Sequence, residues 1–224
     1  VELTGANSSR ASRIRSRIGV LGGTFDPIHN GHVAIATAAF NVLELTSVLF
    51  VPAARPWMKE SGAGPGVTSA DHRIEMVKLA TESREGFELS TVDVDRGGLS
   101  YSVDTILELR EQYGHATELL LILGADALEE LPRWREPERL MSMCTLVCIG
   151  RPGSGLPENL PARHPGRDAE FVSGPMLQVN ATEIRARVVA GLSVEGMVNA
   201  SVGAYIEREG LYREYGADDE KRHQ

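Results

Sequence analysis

Cysteine is scarce: the 224-residue chain has two, Cys144 and Cys148. Both fall in the segment CTLVCIG, which reads as a buried strand. Four residues of strand span about 13 Å, well beyond the roughly 7 Å Cα separation a disulfide tolerates. The pair therefore reads as two small core residues of a reducing, cytoplasmic compartment. Long apolar runs are also missing. LLLIL and TLVCI are far shorter than the about 20 residues a membrane helix needs, so a membrane partner is not expected, and there is no apolar segment for secretion. An excess of positive charge is absent as well: 23 Lys and Arg stand against 31 Asp and Glu, a formal net charge of −8. A general nucleic-acid binder carries a basic domain or stripe, which argues against nucleic acid as a partner. Small anionic substrates remain open, because a few local cations dominate a cleft.

What is present is enough chain for one well-cored domain. Residues 1–17 carry Arg10, Arg13, Arg15 and Arg17, several serines and a single acid, Glu2. Such a start suits a transit peptide, but is read in preference as a disordered extension or a remnant of expression. A single domain is expected over 18–215, with 216–224 a polar tail. No internal repeat is found.

Within 18–215, apolar strand-like runs alternate with helical segments. RIGVLG, SVLFVPA, FELSTVDVD, ELLLILG, CTLVCIG and AEFVSG read as strands. HVAIATAAFNVLEL, ADHRIEMVKLATES (with Ser69 as an N-cap), VDTILELREQYG, ATEIRARVVAG and SVGAYIEREG read as helices. ESGAGPGVTSA and GSGLPENLPARHPGRD are Gly/Pro loops. Continuous apolar runs suit central parallel strands covered on both faces, so the alternation predicts an α/β parallel sheet. In such sheets ligands sit beyond the carboxyl ends of the strands.

One such end carries GVLGGTFDPIHNGH, Gly19 to His32. Gly22 and Gly23 allow a tight turn and a close backbone approach to a ligand. A helix starting near Asn30 directs its free N–H groups and dipole at that turn, which favours an anion. His29 and His32, at i and i+3, face the same side of a first helical turn. The chemistry suggested is a polyphosphate cradle with imidazole donors. It is not a Walker loop, because no Gly-Lys-Ser/Thr follows, and the glycine spacing does not fit a dinucleotide fingerprint. Zinc on the paired histidines lacks a nearby third ligand, and no protein metal site is expected.

GGTFDPIHNGH resembles the signature of the nucleotidyltransferases with an H-x-G-H motif. More narrowly, the chain resembles the bacterial nicotinate mononucleotide adenylyltransferases from about Ile18 to Tyr212. VPAARPWMK, ADHRIEMVKLA, DVDRGGLSYSVDT, LLILGADALEELPRW, GRPG, NATEIR and AYIEREGLY appear in that family's order. The resemblance implies a Rossmann-like, doubly wound parallel sheet with helices on both faces. It implies transfer of the adenylyl group of ATP to nicotinate mononucleotide, giving nicotinate adenine dinucleotide and pyrophosphate in NAD biosynthesis. Mg2+ would be carried mainly by the ATP phosphates. The partners implied are small-molecule substrates, and the assembly is compatible with a homo-oligomer.

The same resemblance assigns residues. His29, His32 and Arg185 would be catalytic. Gly22, Gly23, Thr24, Phe25, Gly124, Asp126, Thr182 and Arg185 would bind ATP, with Asp126 a ribose acceptor or simply a helix N-cap. Lys59, Tyr101, Ser102, Trp134 and Arg151 would bind nicotinate mononucleotide, Trp134 by stacking on the pyridine ring. Where the family has serines before the threonine of NATEIR, this chain has Asn180 and Ala181, so one hydroxyl donor is missing. Arg73 is read as a structural ion-pair partner. His72, His115, His164 and His223 carry no motif and read as surface residues. Two other readings share part of this pattern. One is pantetheine-phosphate adenylyltransferase or another H-x-G-H nucleotidyltransferase. The other is a non-enzymatic nucleotide-binding module, which would not need both histidines and Arg185.

Overall fold

The computed structural model of the chain describes residues 16–56, 67–150, 160–175, 177 and 179–213. In chain order the first half consists of β1 (Arg17–Gly23), α1 (Asn30–Val42), β2 (Ser47–Pro52), β3 (Arg55–Pro56), α2 (Ala70–Thr81), β4 (Phe87–Leu89), α3 (Val92–Arg96), β5 (Leu99–Ser100) and α4 (Ser102–Tyr113). The second half consists of β6 (Glu118–Gly124), α5 (Ala125–Glu129), α6 (Pro137–Met143), β7 (Thr145–Gly150), β8 (Glu170–Ser173), α7 (Ala181–Val189) and α8 (Ala200–Arg208). The two tails, with the first strand's leading residues excepted, lie outside the described residues, as do Lys59, Arg151 and His223.

Six strands form one sheet in the order β4-β2-β1-β6-β7-β8, and every neighbouring pair is parallel. The chain winds outward from β1 to one edge, then returns to the centre and winds to the other. This is the doubly wound, Rossmann-like order. A separate two-stranded ladder joins β3 to β5.

The alternation of side chains along the strands explains why the sheet is covered twice. Leu120, Ile122, Val147 and Ile149 pack with Val33 and Ala36 of α1, Met76 of α2, Ile184 of α7 and Val202 of α8. Their strand neighbours Leu119, Leu121, Leu123, Leu146 and Cys148 pack on the opposite face with Val103, Ile106 and Leu109 of α4, Leu128 of α5 and Leu140 of α6. A strand that feeds two apolar layers has no polar face to show, which is why ELLLILG and TLVCIG read as unbroken apolar runs. Both cysteines are free: Cys148 is buried in its strand, while Cys144 sits half-buried at the end of α6. Among the described residues no helix is long and apolar enough to cross a membrane.

The sheet matches the six strands expected, with one correction. FELSTVDVD is a strand only over Phe87–Leu89, and Val92–Arg96 is a helical turn. There Thr91 Oγ1 donates to Asp95 at 2.7 Å, and Arg96 donates to Asp93 at 2.7 Å. These i,i+4 and i,i+3 pairs are only possible on a helical turn. Helix α6 is an additional element, and the helix for which Asp126 was read as a cap is present as α5 with Gly124 as its N-cap. Ser69 occupies the N-cap position of α2 but its hydroxyl caps nothing.

Candidate active site

Between β1 and β6 the direction of winding reverses, and a crevice opens beyond the carboxyl ends of these strands. A cleft of about 340 Å³ lies here, lined by Gly22 and Gly23 at the end of β1 and Thr24 just after it, by Ser102, Thr105 and Ile106 of α4, and by Ala127 and Trp134 after β6. Gly22 and Gly23 both lie in β1, and neither has a positive φ among the described glycines. A Cβ at Gly22 would meet no protein atom within 4 Å. It would project into space lined as the cleft, as expected of a backbone that a ligand approaches. Gly23 answers an internal demand instead: a Cβ there would come within 2.9 Å of the Phe25 ring. The left-handed residue of the turn is not a glycine but Phe25, at φ 51°. Phe25 is held there by complete burial, at 1% exposure.

The turn delivers the chain to His29, the N-cap of α1, in extended conformation. His29 Nδ1 accepts from the His32 backbone N–H at 3.4 Å, and His32 Nδ1 accepts from the His29 N–H at 3.2 Å. This is a capping box built from two imidazoles instead of a hydroxyl and a carboxylate. The rings stack with centroids 3.6 Å apart. A neutral imidazole that accepts at Nδ1 carries its proton at Nε2. Helix capping thus fixes the tautomer of both rings and makes both Nε2–H groups donors. Burial lowers the His29 pKa from 6.5 to about 4, so His29 is neutral at pH 7 and acts as a dipole rather than a cation. The glycine between them has its own reason: a Cβ at Gly31 would stand 3.0 Å from His29 Nδ1 and 3.4 Å from the Val179 carbonyl.

The α7 helix brings the second set of groups to the same turn. Arg185 donates through one Nη to the Asp26 carbonyl at 2.7 Å and through the other to Thr182 Oγ1 at 3.3 Å. It is therefore not an isolated surface arginine. Asn180 fills the position of the absent hydroxyl as an N-cap, its side-chain oxygen accepting from the Glu183 N–H at 2.8 Å. The substitution preserves the helix start, while Ala181 supplies no donor from its side chain.

On the β6 side, Gly124 is the N-cap of α5, and a Cβ there would meet nothing within 4 Å. Asp126 is exposed in the first turn of α5 and is not the cap; its carboxylate stands at the carboxyl end of the central strand. Tyr101 and Ser102 begin α4. Arg135 lies 4.8 Å over the Tyr101 ring and pairs with Asp104 and Glu136, while Arg133 pairs with Glu130 at 2.6 Å. Trp134 follows a 3-10 turn, Leu131–Arg133. Its indole Nε1–H is buried without a hydrogen-bond partner. Lys59 and Arg151, assigned to the acceptor phosphate, lie outside the described residues. No group of three or more His, Cys, Asp or Glu side chains able to hold a metal ion is found among the described residues.

Asp93 had no role in the sequence reading, and three residues read there as ion-pair or surface groups have other surroundings. Asp93 lines the cleft, is 5% exposed, and is held by Arg96 and by Thr105 Oγ1. Arg73, expected as an ion-pair partner, is instead 1% exposed and donates to three backbone carbonyls, those of Thr68, Thr24 and Ala54. It clamps the segment after β1 to the segment after β2. His164, expected at the surface, is 7% exposed. Its Nδ1 accepts from the Gly166 N–H at 3.0 Å and caps a 3-10 turn. His72 is half-buried and bonds the Tyr205 hydroxyl at 2.8 Å, and His115 is exposed as expected.

An open parallel sheet with an anion-directed helix start, two tautomer-locked imidazoles and an arginine at its switch point is a nucleotidyltransferase architecture. Residues 20–187 match the family model described as cytidylyltransferase-like. A "Probable nicotinate-nucleotide adenylyltransferase" of Corynebacterium kroppenstedtii is 41% identical over 196 residues, covering 88% of this chain and 90% of the relative. One of the same description from Leifsonia xyli is 42% identical over 204 residues, covering 89% and 95%. The fold is similar to that of the Plasmodium falciparum nicotinic acid mononucleotide adenylyltransferase complexed with NaAD, with a TM-score of 0.68 at 16% identity over 88% of this chain and 97% of that one. The chain belongs to the cytidylyltransferase-like nucleotidyltransferases, in their nicotinate-nucleotide adenylyltransferase family.

Proposed function

We propose that the chain transfers the adenylyl group of ATP to nicotinate mononucleotide, forming nicotinate adenine dinucleotide and pyrophosphate, a step of NAD biosynthesis. The observation that carries this reading is the convergence of the His29–His32 capping box with Arg185 and Thr182 on one turn, beside a cleft that holds Trp134. A phosphate oxygen of the mononucleotide attacks the α-phosphorus of ATP. The bond from that phosphorus to the bridging oxygen breaks, and pyrophosphate leaves. The attacking phosphate is already an anion at pH 7, so no general base is needed. Catalysis reduces to alignment for in-line attack and stabilisation of charge on the transferring and leaving phosphates.

In this reading the Nε2–H groups of His29 and His32 donate to the ATP phosphates. Arg185 supplies a planar fork to the β- and γ-phosphates, and the Thr182 hydroxyl donates beside it. Gly124 and Asp126 take the adenosine side. Trp134, Tyr101 and Ser102 form the pyridine pocket, and the family resemblance assigns Lys59 and Arg151 to the attacking phosphate. The donor set suits Mg2+ held by the phosphate oxygens rather than by the protein. Asp26, the buried carboxylate nearest the cradle, already accepts from the Tyr212 hydroxyl and the Thr68 N–H. When bound, the ion adds charge neutralisation to what these residues provide.

The test is product analysis. ATP and nicotinate mononucleotide should yield nicotinate adenine dinucleotide and pyrophosphate in equal amounts, and the two products should regenerate ATP. Hydrolysis of ATP without dinucleotide formation would defeat the proposal.

A further inference from the structure

Two segments carry part of the family resemblance without a proposed contact to substrate: ADHR at the start of α2 and EREGLY at the end of α8. Both reach the turn that holds Asp26, the first through Arg73 at the Thr24 carbonyl and the second through Tyr212 at Asp26 itself. This residue is 6% exposed, and both of its carboxylate oxygens are occupied. Oδ1 accepts from the Tyr212 hydroxyl at 2.8 Å, across 186 residues of sequence, and Oδ2 accepts from the Thr68 N–H at 3.2 Å. Its carbonyl accepts from Arg185 at 2.7 Å. Arg73 fixes the flanking carbonyl of Thr24 at 2.9 Å.

Tyr212 reaches Asp26 from an unusual backbone. It sits at φ 63°, two residues after Gly210, which is also left-handed at φ 63°. A bulky residue rarely adopts that conformation, and it persists where the surroundings over-determine it. Here the surroundings are the Asp26 carboxylate and the Met76 sulfur, 3.9 Å from the hydroxyl. Burial and the adjacent Asp26 charge raise the Tyr212 pKa above its ordinary value, so the phenol stays protonated and remains a donor at physiological pH.

We propose that Tyr212 and Asp26 are a positioning pair for Arg185. Holding the Asp26 carboxylate inward turns its carbonyl toward the guanidinium, and that carbonyl sets the direction in which the arginine presents its remaining N–H groups. Without the pair, a carboxylate released beside the cradle would compete with phosphate for the same arginine. Tyr212 touches no substrate in this account; it acts through Asp26. The proposal rests on the assignment of Arg185 to the ATP phosphates.

The experiment is calorimetric titration with ATP, and separately with nicotinate mononucleotide, on four forms: wild type, Tyr212→Phe, Arg185→Lys and the double variant. Tyr212→Phe keeps the ring and removes only the donor. It should weaken ATP binding about tenfold, as expected for one lost hydrogen bond to a charged group, and leave the mononucleotide unchanged. If Tyr212 acts through Arg185, the double variant should bind ATP no more than about twofold weaker than Arg185→Lys alone, because residues in one network are not additive. Asp26→Asn is the second probe. It keeps the size but puts an amide NH2 against one of two donors, and the same non-additivity is expected. Fully additive losses, unchanged ATP affinity in Tyr212→Phe, or equal loss for both ligands would overturn the proposal. The ATP affinity of Arg185→Lys against wild type tests the parent assignment separately: equal affinities would remove Arg185 from the ATP site.

Discussion

Replacing His32 by alanine removes three things that the structure separates. The first is the Nε2–H donor that the proposed function assigns to phosphate. The second is the Nδ1 acceptor for the His29 N–H, at 3.2 Å. The third is the ring itself, stacked 3.6 Å from His29 and set edge-on to Phe25 at 5.0 Å. The first is a kinetic loss: one transition-state donor is worth roughly 10²–10³ in turnover. The other two are stability losses. A lost cap partner costs about 1 kcal/mol, and the ring contacts add about 0.5–1.5 kcal/mol. For a chain of this length that corresponds to a fall of roughly 3–10 °C in Tm. His32→Asn separates the two effects. Its side-chain oxygen is able to accept from the His29 N–H, but it is too short to place a donor where Nε2 stood. It should recover the capping part of the stability loss, but not the ring contacts, and leave turnover low. Steady-state pyrophosphate release and thermal unfolding, run on both variants, check this. The KM for nicotinate mononucleotide should change much less than kcat. Near wild-type kcat in His32→Ala, or recovery of kcat in His32→Asn, would refute the cradle assignment.

The His29 pKa, lowered from 6.5 to about 4 by burial, makes stability depend on pH. Between these values the unfolded chain takes up a proton that the folded chain refuses, so stability falls as pH drops from about 6.5 toward 4. The full shift corresponds to about 3 kcal/mol, and denaturation midpoints should be flatter over that window in His29→Asn, which retains a helix cap but does not titrate there. Arg185→Ala should weaken binding of ATP and pyrophosphate and leave the mononucleotide unaffected; Arg185→Lys should rescue only in part, because lysine lacks the bidentate fork. Equal ATP affinity in wild type and Arg185→Ala, measured by titration, would remove Arg185 from the site. Trp134→Ala should raise the KM for nicotinate mononucleotide and largely spare the KM for ATP, as checked by initial rates with each substrate varied in turn.

The parts of the fold that sequence revealed are those where a single physical demand sets the residue pattern. β6 and β7 are covered on both faces, so every buried position is apolar and the run announces itself. The helix after the glycine turn was equally legible, and so was the placing of His29 and His32 together on its first turn. The reason for their tautomers was not, because imidazole capping is invisible to propensity. Val92–Arg96 alternates apolar and polar residues and so imitates a strand; what decides it is a set of local pairs, Thr91–Asp95 and Asp93–Arg96. Helix α6 begins with a proline at its first turn, a readable start signal, but its REPER stretch obscured the one buried anchor, Leu140. Asp26, Arg73 and Tyr212 could not be found by any local rule. Their partners lie far away in sequence, and only the folded chain brings them together.

The central claim is that the pocket between β1 and β6 selects a pyridine carboxylate for adenylyl transfer. Among the described residues beside this pocket, Arg133 and Arg135 pair with acidic neighbours; the donors proposed for the carboxylate are N–H groups around Tyr101, Ser102 and Trp134, including the buried, unpartnered Trp134 Nε1–H. Charge-assisted hydrogen bonds are about twice as strong as neutral ones, and an amide would set its own NH2 against a donor at about 1–3 kcal/mol. The direct measurement is kcat/KM for pyrophosphate release with ATP and three acceptors: nicotinate mononucleotide, its amide and phosphopantetheine. The account predicts at least about tenfold preference for the acid over the amide and no detectable transfer to phosphopantetheine. Equal efficiency with acid and amide, or preference for phosphopantetheine, would contradict it.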